Sequence, residues 1–337
     1  MQRAIILINV GTPDSPKTKD VRTYLREFLG DRRVIDIPAI PRWMLVNLII
    51  APFRAPKSAK LYEQLWTQHG SPLRYITANL AKKMQAKSRA ETRILIAMRY
   101  GNPSIKKVLE QVRLQQPDEI IIVPMYPQYA ESTTGTVSED CLRVIKNWDV
   151  IPSLKIIGQF YNHPAFIGAF QQKIQAYKPE LFDHVLFSYH GLPESHISRI
   201  HPHTTIEKCN CHLEFPAHGK YCYRATCFAT TRLLQNACNI PETKSSIAFQ
   251  SRLTKKWLRP FADEQIVELA RKGVKELLVV APAFVTDCLE TSIEIGVEYN
   301  ALFRQHGGQR LQLVASLNDE DYWAKALQEI INEKDQT

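Results

Sequence analysis

Four groups of side chains have the types and spacing for chemistry. In Ser188-Tyr189-His190-Gly191-Leu192-Pro193 an apolar run ends in a histidine followed by Gly and Pro. A histidine on such a turn stands at a sheet's carboxyl edge, where its imidazole accepts a proton or ligates a metal near neutral pH. The alternative is a histidine tied to a neighbouring loop. In Asp287-Cys288-Leu289-Glu290-Thr291-Ser292-Ile293-Glu294-Ile295-Gly296-Val297-Glu298, the glutamates 290, 294 and 298 recur at i, i+4 and i+8 and stack on one face of an α-helix. No lysine or arginine lies between Val285 and Tyr299. The row is therefore either an acidic surface stripe or a lining whose raised carboxyl pKa values let it pass protons or hydrated divalent cations. A third group is basic and aromatic: Arg32-Arg33, Arg99-Tyr100, Tyr126-Pro127-Gln128-Tyr129, Arg252 and Trp257. Arginines fork onto carboxylates and aromatic planes suit a flat apolar ligand, although singly these residues also read as ion pairs and core rings. The fourth is Cys209, Cys211, Cys222 and Cys227, four thiols crowded into a polar loop. Soft thiolates at that density suit Zn²⁺ or an iron–sulfur cluster. The spacing C-x-C…C-x₄-C is not a standard zinc pattern, and His203, His212 or His218 could supply a ligand; four unrelated thiols is the plainer alternative.

These residues need elements to place them. Eight short apolar runs, 4–10, 93–98, 119–124, 154–159, 184–189, 246–250, 276–281 and 310–314, alternate with amphipathic helical stretches. Strands apolar throughout and separated by helices predict parallel sheets covered on both faces, an α/β fold. The run Ile5-Ile6-Leu7-Ile8-Asn9-Val10-Gly11-Thr12-Pro13 is echoed by Val185-Leu186-Phe187-Ser188-Tyr189-His190-Gly191-Leu192-Pro193, and Ile120–Tyr126 by Leu277–Phe284. Echoes in the same order predict two copies of one unit, each a four-stranded parallel sheet flanked by helices, joined near 150–165. The first lobe is placed at 1–158 with a return of 310–337, the second at 159–309. Open α/β sheets bind ligands past their strand carboxyl ends, which here selects Val10, Arg99, Tyr126, His190, Arg252 and the stretch 284–290.

The 337 residues carry 43 Lys+Arg against 34 Asp+Glu, a net charge of +9. The excess is spread along the chain, which suits anionic small molecules or an acidic membrane surface and disfavours nucleic acid. With 45% apolar and 23% charged residues, disordered and fibrous classes are excluded. No apolar run reaches the roughly 18 residues of a spanning helix. The segment Pro41–Pro56 is apolar enough to be a buried helix, the default expectation, or a lip that admits an apolar substrate or touches a membrane. The start lacks a secretory signal pattern, and with seven cysteines this predicts a reducing, cytoplasmic setting. G-x-G-x-x-G after the first strand, G-x-x-x-x-G-K-[ST] and G-x-S-x-G are all absent, which removes the usual dinucleotide, P-loop and hydrolase signatures.

Taken together, Leu7–Pro13, Gly70-Ser71-Pro72-Leu73, Arg99-Tyr100-Gly101, Pro124–Tyr129, Ser188–Pro193, Thr230–Leu233, Gln250-Ser251-Arg252, Trp257-Leu258-Arg259-Pro260 and Asp287–Thr291 resemble the ferrochelatase family across nearly the whole chain. The resemblance implies two Rossmann-like halves and insertion of Fe²⁺, as substrate, into protoporphyrin IX. It implies His190 and Glu290 as the central pair, with Glu294 and Asp287 continuing an acidic path. Arg99, Tyr100, Tyr126 and Trp257 would line the porphyrin site, and Arg32 and Arg33 would stand near its entrance. An apolar Val10 resembles the protoporphyrin-using branch rather than the coproporphyrin branch. Some relatives hold a [2Fe–2S] cluster; here it would need the Cys209–Cys227 loop alone, with zinc the other occupant. Peripheral contact with the inner face of the membrane fits the apolar segment. Rival readings are a Co²⁺ or Ni²⁺ chelatase on another tetrapyrrole and a haem- or cluster-binding carrier.

Overall fold

The computed structural model describes residues 1–201 and 205–333. Eight strands occur where the apolar runs predict them: β1 (Arg3–Thr12), β2 (Thr92–Gly101), β3 (Glu119–Pro124), β4 (Ser153–Ile156), β5 (His184–His190), β6 (Ser245–Gln250), β7 (Glu276–Val280) and β8 (Arg310–Leu313). They form two parallel sheets of four, in the orders β2-β1-β3-β4 and β6-β5-β7-β8. The same order twice is what the sequence echoes require. The likeness extends to the loops: after β2 the Pro103 carbonyl accepts from Met98 N–H at 2.7 Å, and after β6 the Pro260 carbonyl accepts from Phe249 N–H at 2.8 Å.

The described chain divides into two compact units. The first holds Met1–Tyr126, Glu131–Gln159 and the segment from Asp319; the second holds Pro127–Ala130 and Phe160–Asn318. The C-terminal return therefore begins at Asp319, not at residue 310. Arg310–Leu313 pairs with β7 as the edge strand of the second sheet, so it stays with that unit. In the first unit Ile6, Ile8, Ile120 and Ile122 meet Val108, Val112, Val137 and Ile145 from helices Ile105–Arg113 and Thr136–Ile145. In the second, Leu186, Leu277 and Val279 meet Ile266, Leu269 and Phe303. Each fully buried aliphatic side chain contributes roughly 1.5–3 kcal/mol, so each sheet has its own core.

One expectation fails. The stretch from Ala39 to Leu65 is continuously helical, passing through a π-helical segment at Leu45–Ile50, but it is not a buried helix. Val46, Ala51, Ala55 and Ala59 form its inward stripe, whereas Ile40, Trp43, Met44, Leu48, Ile49 and Phe53 are exposed. Small residues let the inner face approach the first unit closely, and the bulky apolar residues are left outside.

Candidate active site

The second unit presents the titratable pair. His190 is the last residue of β5 and pairs with Gln250 at the end of β6. The chain then turns sharply: Gly191 N–H donates to the Gln250 carbonyl at 2.8 Å. A Cβ on Gly191 would stand 2.7 Å from that oxygen and 3.2 Å from Trp257 Cε3, so only glycine fits. The Gly191 carbonyl lies 2.6 Å from His190 Nδ1. A carbonyl only accepts, so Nδ1 carries the proton and Nε2 is left as the basic nitrogen of the neutral ring. The imidazole, half-buried, sits between the rings of Trp257 and Phe284 with centroids 6.4 and 6.3 Å away. From behind, Tyr223 donates its hydroxyl to the His190 carbonyl at 2.9 Å.

Glu290 opens a π-helix, Glu290–Tyr299, rather than the α-helix the spacing predicts. With i→i+5 winding the three glutamates do not stay on one line: Glu290 and Glu294 are half-buried and Glu298 is exposed. Partial desolvation, then the neighbouring Glu294 charge, push the Glu298 carboxyl above its ordinary value. Gln250, buried, ties the two site elements together. Its Nε2 donates to the Glu290 carbonyl at 3.1 Å and to Glu294 Oε2 at 3.2 Å, while its Oε1 accepts from Ser188 Oγ at 2.7 Å. Glu294 also accepts from Ser251 N–H at 2.8 Å, Ser251 Oγ at 2.5 Å and Tyr299 OH at 2.9 Å. It is an anchored carboxylate. Glu290 faces the Cys288 thiol, which burial and then that carboxylate push well up. Asp287 is turned the other way, accepting from Ser316 N–H at 3.0 Å and Asn318 Nδ2 at 2.7 Å; it fastens the helix start to the loop after β8.

In the first unit the candidate residues form a closed polar network. Asp31 Oδ2 accepts from Thr136 Oγ1 at 2.5 Å, Arg99 Nη2 at 2.6 Å and Tyr100 OH at 2.9 Å, and its Oδ1 accepts from Arg33 N–H at 2.8 Å. Burial pushes the Asp31 carboxyl up, but the Thr136 and Arg33 hydrogen bonds, the Arg99 charge and Tyr100 outweigh it and hold it below its ordinary value. Arg99 also reaches Asp140 at 3.6 Å. Tyr100 is 2% exposed, and its hydroxyl is taken up by Asp31 at this end of the sheet. Arg32 and Arg33 both pair with Glu139. Val10 lies near the end of β1 and Tyr126 just after β3, each half-buried. In the second unit Arg252 is spent on Asp263 and Glu264 at 2.7 and 2.8 Å and lies over the Phe261 ring.

Cys209, Cys211, Cys222 and Cys227 are all buried and unbridged. Burial, partly offset by the Arg224 charge and reinforced by Cys209 and Cys222, pushes the Cys211 thiol up to about 12. Burial, then Cys222 and Cys211, push Cys227 well up. The four are thus within electrostatic reach, and His218 Nε2 lies 3.6 Å from Cys209 Sγ. Yet among the described residues no three His, Cys, Asp or Glu side chains close into a ligand set. His212 packs against Phe228, and His203 lies outside the described residues. Cys141, Cys238 and Cys288 are isolated buried thiols.

Sequence reasoning quoted Gln250 and Ser251 without giving them a role, and missed Tyr223, Tyr299, Asp31 and Thr136. For Gln250 a signal existed: the strand echo places it beside His190.

Comparison with known proteins identifies the family. The family model described as Ferrochelatase matches residues 2–335. A ferrochelatase of Legionella pneumophila (strain Lens) is 44% identical over 340 residues, covering 99% of this chain and 100% of that one. A ferrochelatase of Coxiella burnetii (strain Dugway 5J108-111) is 38% identical over 330 residues, covering 96% and 91%. Among solved structures, SirB from Bacillus subtilis with Fe³⁺ superposes with a TM-score of 0.53 at 14% identity, covering 98% of this chain and 96% of that one. The cobalt complex of the sirohydrochlorin chelatase SirB superposes with a TM-score of 0.52 at 15% identity, covering 99% and 95%; at such identities the likeness concerns the fold alone. With two chelatase-like α/β units and relatives this similar over its full length, the chain belongs to the ferrochelatase family.

Proposed function

We propose that this chain inserts ferrous iron into protoporphyrin IX, with His190 as the base that takes a pyrrole proton and Glu290 as the facing carboxylate. The family is that of metal chelatases, which are lyases, and its substrates are a porphyrin and ferrous iron. The observation that carries the residue assignment is the Nδ1–H bond to the Gly191 carbonyl, which reserves Nε2 of a neutral imidazole for proton acceptance. Insertion must remove two N–H protons and strip water from the ion while four nitrogens close around it. Bending the macrocycle exposes the nitrogen lone pairs, at a strain of about 1–5 kcal/mol drawn from contacts with the ring periphery. In the second unit Trp257, beside His190, is the contact for that purpose. On the first unit Val10, Tyr126, Arg32 and Arg33 are candidates for the ring edge and its carboxylates, whereas Arg99 and Tyr100 hold the scaffold beneath. Glu294, held by Gln250, Ser251 and Tyr299, sets carboxyl oxygens one turn from Glu290, hard donors that suit an incoming cation.

His190→Ala and Glu290→Gln each lower insertion by about 10²–10⁴-fold in a continuous porphyrin-fluorescence assay, with porphyrin binding retained. Wild-type turnover by either variant removes that residue from the mechanism. Protoporphyrin and coproporphyrin compared side by side test the choice of macrocycle.

Two further assignments belong to this reading. The exposed apolar side chains from Ile40 to Phe53 make peripheral contact with a membrane; among the described residues no helix is long and apolar enough to cross one. The Cys209–Cys227 loop is the candidate holder of a [2Fe–2S] cluster or zinc. Its buried, unbridged thiols suit such a group chemically, but their positions here do not close on one, and the insertion step needs nothing from it. Metal analysis with visible spectra of anaerobically purified protein decides between cluster, zinc and neither.

A further inference from the structure

We propose that Tyr223 is a positioning residue for His190, selecting the ring tautomer that leaves Nε2 basic. The inference rests on the reading of His190 as the proton acceptor. Tyr223 is the first residue of helix Tyr223–Cys238 and is 5% exposed. Its hydroxyl donates to the His190 carbonyl at 2.9 Å. That carbonyl belongs to the peptide joining His190 to Gly191, so the phenol holds one side of this peptide plane. The Gly191 N–H, on the same plane, is held from the other side by the Gln250 carbonyl at 2.8 Å. With the plane clamped at both ends, the next carbonyl, that of Gly191, stays 2.6 Å from His190 Nδ1. The order of contacts is thus Tyr223 hydroxyl, His190 carbonyl, Gly191 carbonyl, Nδ1–H. A proton fixed on Nδ1 is a lone pair fixed on Nε2. Without the phenol, one end of the plane is free to rotate, the Nδ1–H bond lengthens, and the imidazole divides between its two tautomers. Only one of these presents a base at Nε2.

The residue touches no reacting atom in this scheme; it acts through His190. The sequence gives no hint of it, because Tyr223 lies among cysteines and far along the chain from the His190 turn. The Cys227 thiol, one helical turn on, lies against the same phenol, and Tyr189 is close enough for its charge to be felt there. Burial first, and then these neighbours, push the phenol well above its ordinary pKa, so the hydroxyl remains a donor across the working pH range.

Tyr223→Phe in the full chain removes one oxygen and keeps the ring. The expected result is a fall of about tenfold in kcat for ferrous insertion, with KM for porphyrin within twofold and the melting temperature within a few degrees. In ¹⁵N spectra the His190 nitrogens shift from a single Nδ1–H pattern toward an average of both tautomers. Leu234→Ala, in the buried face of the same helix, serves as the structural control: it lowers the melting temperature while kcat and the His190 nitrogen shifts stay at wild-type values. Unchanged kcat or unchanged nitrogen shifts in Tyr223→Phe overturn the proposal, as does a loss that follows the melting temperature in both variants. If Tyr223→Phe fails to fold, 4-fluorophenylalanine at position 223 fills the volume of the phenol without supplying a donor, and unchanged His190 nitrogen shifts there overturn the proposal equally. Failure here is separable from failure of the reading it rests on: active His190→Ala removes the base, whereas inactive His190→Ala with normal Tyr223→Phe removes only the positioning role.

Discussion

The two units share one strand order but treat the carboxyl ends of their matching strand pairs, β1 with β2 and β5 with β6, differently. At the end of β2, next to β1, the first unit closes its charges on one another: Arg99 is met by Asp31 and Asp140, and Asp31 by Thr136, Tyr100 and Arg33. At the ends of β5 and β6 the second unit surrounds the Glu294 carboxylate with neutral donors, Gln250, Ser251 and Tyr299, and leaves an imidazole nitrogen of His190 unused by the Gly191 bond. Opposite charges at contact distance cancel, and a cancelled charge does little for a ligand. Amides and hydroxyls orient a carboxylate and leave its charge in place. The same strand order thus carries an ion-paired network in one unit and neutral donors around a carboxylate in the other, the division expected if the first is scaffold and the second does the proposed chemistry.

Several substitutions break or sharpen that contrast, and the largest effects fall on the two clamped networks. Arg99→Ala leaves Asp31 without its cation, while Asp140 keeps Arg143, and the cost is about 3–5 kcal/mol of stability, read in denaturant melts. Activity should fall with the folded fraction and not beyond it. Gln250→Ala should give the reverse pattern in the second unit: it unties Glu290 from Glu294 and from Ser188 on β5, costing about 1–3 kcal/mol but lowering kcat by more than the folded fraction does. If Arg99→Ala instead lowers kcat in fully folded protein, the division into scaffold and chemistry is wrong.

Acid sharpens the same comparison. Asp31 titrates below its ordinary 3.8 when folded, so its contribution is complete above that value and is lost as pH falls through the lower folded pKa. Acid melts of wild type should therefore steepen below about pH 4, and Asp31→Asn should flatten that slope while lowering stability at neutral pH. The smallest effect is expected on the exposed helix. Trp43→Ser leaves turnover of dispersed porphyrin unchanged and weakens co-flotation with anionic vesicles severalfold.

How much of this could be read from residues alone varies with the range of the interaction. Parallel strands buried on both faces are apolar along their length, so all eight were visible, and the Gly191 turn marked His190. The Asp31–Arg99 pair was not visible, since its partners are 68 positions apart and each looks like an ordinary surface charge. Nor does i, i+4 spacing distinguish an α-helix from the wider winding at Glu290–Tyr299. The apolar helix departs from the buried expectation because Val46, Ala51 and Ala55 suffice to seat it, and hydropathy does not say which side the larger residues take. The edge strand Arg310–Leu313 was assigned to the wrong half because its partner, β7, is set by sheet order, which four residues do not specify.

The sealed network around Asp31 carries a warning for anyone ranking residues by loss of function. An alanine scan scored only by haem output would place Arg99 beside His190 and label both essential. On the proposed assignment one is a keystone and the other a tool, and only a paired record of folded fraction and turnover tells them apart.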